Sequence, residues 1–136
     1  MLVSIASLCE EVRFREDGRV DVVGAAPDQV VVAGLPWKGQ LTFALVLELG
    51  PGDDLTRMGM NVSVVRAADG SVVGTVDPGT ARQPRHVPAG EEGPVHVPFE
   101  LHLASVIREP GVYRVVVLAP SGEELATASF MVRTRG

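Results

Sequence analysis

The chain has 136 residues and a mass of 14.4 kDa, the size of one ordinary domain. Hydrophobic residues make up 46% and charged residues 21%, which excludes wholesale disorder, and the 15 glycines and 10 prolines follow no collagen period. Twelve basic residues against 17 acidic ones give a formal charge of −5, an electrostatic deficit for nucleic-acid binding.

The first stretch, Met1 to Leu8, is apolar but lacks a basic flank, and Glu10 and Glu11 end it. It is too short to span a membrane and reads as the opening strand. No membrane partner is expected, and the default location is cytoplasmic. Cys9 is the only cysteine, so an intramolecular disulfide and a multi-thiolate zinc site are both excluded. Its apolar, carboxylate-flanked setting favours a buried neutral thiol.

Val3 to Phe14 reads as one long or bent strand, turned at Glu16-Asp17-Gly18 and returned by Arg19 to Val23 as an N-terminal hairpin. Gln29 to Ala33 is a short β-branched strand. Trp37, after Pro36, is expected to cap the edge of the core, with a ligand platform as the alternative. The next run alternates: Leu41, Phe43, Leu45, Leu47 and Leu49 form one face, and Thr42, Ala44, Val46 and Glu48 the other. That period of two is a pleat.

Met58 to Ala67 and Ser71 to Val76 flank Asp69-Gly70, a hairpin signal. Val95, Val97, Phe99, Leu101 and Leu103 alternate with His96, Pro98, Glu100 and His102, and Pro98 predicts an edge or a bulge. Leu103 to Arg108 is the only candidate for a short helical turn. Val112 to Leu118 and Leu125 to Val132 flank Pro120-Ser121-Gly122 as a closing hairpin. Tyr113, following Pro110-Gly111, is placed to hold a loop carbonyl with its hydroxyl.

These elements suggest an all-β antiparallel β-sandwich forming a single domain over residues 1–136, and strand spacing alone leaves a small barrel open. Ala6-Ser7-Leu8-Cys9-Glu10-Glu11-Val12, Asp17-Gly18-Arg19-Val20 and Pro110-Gly111-Val112-Tyr113 point the same way. Together they resemble the ends of an uncharacterised bacterial family of small all-β proteins. The resemblance implies an immunoglobulin-like sandwich and carries no activity with it.

Chemistry-bearing motifs are sparse. His96 and His102 share a face but lie roughly 20 Å apart on a regular strand, too far for one metal. No metal site and no cofactor is expected. The sequence contains no nucleophile elbow, phosphate-binding loop or H-E-x-x-H motif. Catalytic residues are therefore not assigned. The basic residues are scattered, apart from Arg82/Arg85 and Arg133/Arg135. The long irregular span 77–94 carries Arg82, Arg85 and His86, candidates with Trp37 for binding a small ligand or carbohydrate.

Second faces of several strands are unusually apolar, at Ala44, Val46, Val65, Val116 and Leu118. Either the N-terminal hairpin or a partner must cover them. The leading expectation is a noncatalytic protein-interaction or assembly module, with Ala44, Val46 and Val65 at the interface with a protein partner or a second copy. The alternative is a small-ligand-binding or carbohydrate-binding β-sandwich.

Overall fold

The computed structural model of the chain describes residues 2–17, 19–25, 27–50, 61–77 and 95–135. Ten strands run through them: β1 (Leu2–Leu8), β2 (Glu11–Phe14), β3 (Val20–Val23), β4 (Gln29–Val32), β5 (Trp37–Leu49), β6 (Asn61–Arg66), β7 (Val72–Val76), β8 (Val95–Ile107), β9 (Gly111–Leu118) and β10 (Glu124–Thr134). Among the described residues no helix is long and apolar enough to cross a membrane.

Strand formation follows the alternation, with three adjustments. The long first strand breaks at Cys9 and Glu10, where the chain leaves β1 for the β2–β3 hairpin. The candidate helical turn Leu103 to Arg108 is strand as far as Ile107, because β5 pairs with β8 along its whole length, from Trp37↔Ile107 to Leu49↔Val95. Pro98 sits opposite Val46, on the part of β8 that β7 does not reach, since β7 pairs only with Leu103 to Ser105. A residue without an N–H is tolerated there.

Eight strands form one hydrogen-bonded sheet in the order β1-β5-β8-β7-β6-β9-β10-β4, and β2 with β3 forms a separate hairpin. This corrects the expected immunoglobulin-like sandwich of two packed sheets: the molecule is one curled half-barrel plus a small hairpin. The tight turn at Asp69-Gly70 joins β6 to β7, and β7 pairs in turn with β8, so the ladder runs unbroken where a sandwich would divide. Gly70 permits the turn by taking a φ of 71°, where its N–H reaches the Arg66 carbonyl at 2.8 Å.

Curling brings inward-facing residues of both wings into one core. Phe43, Leu45, Leu47, Val97 and Leu103 from β5 and β8 meet Val64, Tyr113, Val115, Phe130 and Val132 from β6, β9 and β10. Tyr113 and Phe130 stack with ring centroids 6.1 Å apart. The buried Tyr113 hydroxyl donates to the Glu109 carbonyl at 2.6 Å, the loop-holding role its position predicts. That contact is a local device, at home here in a single curled sheet.

Six antiparallel steps separate β1 from β10, so the two strands run in the same direction, and β4 runs parallel to β10. The curl carries β1 close to β10 without a ladder forming between them. At that seam lies a cleft of about 240 Å³ lined in part by Ala6, Leu8, Asp28, Thr127 and Ser129.

Close packing between β7 and β8 depends on Gly74. A Cβ there would lie 2.3 Å from Ser105 Oγ and 3.0 Å from the Ala104 carbonyl oxygen. Gly74→Ala is expected to cost about 1–3 kcal/mol in urea denaturation, as overpacking does. Combining it with Ser105→Ala is expected to recover part of the loss, and additive effects would show that Ser105 is not the obstacle.

Candidate functional site

Two outward surfaces of the sheet carry unusual chemistry. The first lies on β5 and β8. Core residues there alternate with Ala44, Val46, Pro98, Glu100 and His102, which face away from the core. Ala44 and Val46 are nevertheless only 1% and 7% exposed, and Val12 of β2 is buried without belonging to the main core. The chain leaves the β1–β5 ladder at Cys9, and the N-terminal hairpin is tied to this face at Glu100, which lies across from Ala44. Cys9 N–H donates to the Thr42 carbonyl at 3.0 Å, and Val12 N–H donates to Glu100 Oε2 at 3.1 Å.

Glu100 is 5% exposed, an unusual place for a carboxylate. Its burial is compensated by hydrogen bonds, since His102 Nε2 lies 3.0 Å from Oε1 while Oε2 accepts from Val12. Cys9 nearby is half-buried rather than fully buried, and its thiol is pushed from 9.0 up to about 11, first by burial and then by the Glu100 carboxylate. A thiol held neutral in this way is a poor nucleophile at neutral pH. The cluster is an anchor for the hairpin. At the hairpin's far end Arg15 grips Asp21 through two hydrogen bonds of 2.8 and 2.7 Å, which hold the Asp21 carboxyl below its usual range.

The second surface is the outer side of β9, β10 and β4. Tyr113, Val115, Phe130, Val132, Val30 and Val32 face the core. The alternate positions therefore face outward, and they include Val112, Met131 and Val31, which are 44%, 43% and 42% exposed. Met131 lies directly across from Val112 on β9 and from Gln29 on β4, with Val31 the diagonal neighbour. Side chains so placed touch one another across a sheet. Three exposed apolar residues thus form a row across three strands. Arg114 and Arg133 share this face, and both are exposed.

A third feature is a groove of about 410 Å³ near the β6–β7 turn, lined by residues including Arg66, Val72, Arg108 and Tyr113. Arg66 is taken up by ion pairs with Asp69 and Glu109. Among the described residues no group of three His, Cys, Asp or Glu could hold a metal.

The residues picked from the sequence are dispersed. Trp37 is half-buried, packs against the core and lies over Gly39, where a Cβ would be 2.6 Å from its ring. Arg82, Arg85 and His86 lie outside the described residues. Ala44 and Val46 are buried within the chain itself, 1% and 7% exposed. Val65 is half-buried on β6. The exposed row was not singled out by sequence pattern, although its signals were present: the β-branched run Gln29 to Ala33, and the Arg133/Arg135 pair on the final strand.

Comparison with protein-family models, curated proteins and solved structures finds no match. The resemblance drawn from the chain's two ends is not upheld, because no family model matches and the sheet is a single half-barrel. Neither fold nor source is carried over from it.

Val46→Glu places a carboxylate at a buried position, opposite Pro98 and Ile5 in the ladders. It is expected to lower stability by at least about 2 kcal/mol in urea denaturation, whereas a solvated position would leave stability within about 0.5 kcal/mol of the parent. At pH 8 the raised Cys9 pKa predicts alkylation by iodoacetamide roughly 100-fold slower than for an ordinary cysteine thiol. Because the folded thiol keeps its proton above the unfolded pKa, its contribution to stability is present below about pH 9 and is lost as pH rises toward 11. Rapid alkylation of the native protein at pH 8 would contradict this.

Proposed function

We propose that the chain is a noncatalytic protein-interaction module. The observation that carries this reading is the row of Val31, Met131 and Val112, exposed side by side on the outer face of β4, β10 and β9. Scattered apolar residues on a surface are ordinary, but a row across adjacent strands is an apolar surface suited to a protein partner. The other outward apolar positions, Ala44 and Val46, are buried in the chain itself, which favours the β9–β10–β4 face as the contact.

A noncatalytic role accords with the chemistry of the described residues. The one buried carboxylate, Glu100, is engaged in holding the hairpin, and Cys9 is kept as a neutral thiol. Less supports the small-ligand alternative, since Trp37 packs against the core and Arg66 in the groove near the β6–β7 turn is already paired.

Site-specific crosslinking tests the assignment. Val112→p-benzoylphenylalanine in living cells is expected to yield a discrete adduct with another protein or a second copy. The same group at Ser121→p-benzoylphenylalanine, in an exposed turn, is expected to yield none. Met131→Glu should reduce the Val112 adduct by about tenfold or more, in line with truncation of a contact centre. Equal adducts from both positions, or none from Val112 in a protein shown to be folded, would remove the reading.

A further inference from the structure

The exposed row is bordered by an unfinished strand. β4 pairs with β10 alone, in the parallel register Met131↔Gln29 to Thr134↔Val32. Met131 N–H donates to the Asp28 carbonyl at 3.0 Å and Arg135 N–H to the Val32 carbonyl at 3.1 Å. Backbone groups of the even-numbered residues therefore face β10. Successive residues of a strand direct their N–H and C=O to opposite sides, so those of Gln29, Val31 and Ala33 face away. Among the described residues none of these three makes a backbone hydrogen bond on that side, and all three are exposed.

Edges of this kind are usually guarded by lysine, proline or a bulge. β4 has the sequence Gln-Val-Val-Val and a regular register. Its complement is another strand, because only extended backbone satisfies alternating donors and acceptors at this spacing.

Side chains indicate what that strand carries. Outward positions of β9 from Val112 to Leu118, of β10 from Thr127 to Arg133, and of β4 hold Arg114 and Arg133 and no carboxylate. Arg135 continues the same alternation beyond Arg133. None of these three arginines forms an ion pair among the described residues, in a chain whose net charge is −5. An added strand would lie about 10 Å from β10, two strand spacings away. Arginine and glutamate side chains together span such a gap, passing over the low side chains of Val31 and Ala33. A second copy paired through its own β4 would present Gln29, Val31 and Ala33, none of them acidic, and would add arginines to an arginine-bearing face.

We propose that β4 accepts an acidic extended segment of a partner protein as an added strand, with its carboxylates on the outer face meeting Arg133 and Arg135 and its alternate, apolar residues on the opposite side, beside the inward-facing Val30 and Val32. This rests on the protein-interaction reading and specifies the partner.

The probe is a capped nine-residue peptide of alternating valine and glutamate, titrated into isotopically labelled protein and followed by amide NMR. A peptide with lysine in place of glutamate is the control. Saturable shifts confined to residues 29–33 and 131–135 are expected, with the lysine peptide binding at least about tenfold more weakly. Added salt should weaken the glutamate peptide. Arg133→Glu with Arg135→Glu, both surface changes, should reverse the preference, and Val31→Pro should abolish binding by removing the central donor.

Equal binding of both peptides, unchanged binding after the arginine reversal, or no shifts at about 1 mM peptide would overturn the proposal. Concentration-dependent shifts at residues 29–33 without peptide would assign the edge to a second copy instead. A partner crosslinked at position 112 whose capture is indifferent to Val31→Pro would remove strand addition while leaving the interaction module standing.

Discussion

The pairing of β5 with β8 is the constraint on which the rest of the molecule depends. Each strand has 13 residues, and they stay in register from end to end. A pair of this length fixes both faces at once, because a slip of one residue would exchange them. Inward it supplies Phe43, Leu45, Leu47 and Leu103 to the core. Outward it sets Ala44 opposite Glu100 and Thr42 opposite His102, which is the platform the hairpin needs. The other strands are added around this spine, β1 on one side and the β7-to-β4 wing on the other.

The hairpin anchor illustrates how polar burial can specify a position. Apolar burial of a residue such as Val12 is non-directional and would by itself tolerate sliding. The Glu100 carboxylate removes that freedom, since it accepts the Val12 N–H at one register only and is itself steadied by His102. Losing one partner would leave a buried carboxylate undersatisfied, a larger penalty than the bond's net contribution. Two surfaces that look alike in sequence therefore have different fates: one is closed intramolecularly, the other stays open.

Much of the fold was legible where strand alternation was strict. Leu41 to Leu49 and Val97 to Leu103 could be sorted into faces from their spacing alone, and Asp69-Gly70 and Tyr113 announced their local geometry. Ladder continuity was not legible. Whether β7 joins β8 or begins a second sheet depends on the curl and on the space opened at Gly74, neither of which has a period in the sequence. The candidate site was harder still. Glu100 sits in a polar-looking alternate row that reads as solvated, and only its covering by a segment 88 residues away makes it buried. Val46 reads as an outward apolar position, and its burial within the chain has no signature in the local sequence. Val31, Met131 and Val112 come from three separate segments, and register alone makes them neighbours.

The unpaired seam between β1 and β10 has a mechanical meaning. Everywhere else along the sheet, separating neighbours requires breaking a ladder of backbone hydrogen bonds. At the seam the two strands lie close with no such ladder between them. The curvature of the half-barrel is thus set by the volume of its filling rather than by closure of its wall. Enlarging or shrinking core side chains acts on the radius of the curl before it acts on strand pairing. Small openings of the wall can occur along this line with every ladder intact, giving the molecule a soft direction within an otherwise stiff sheet.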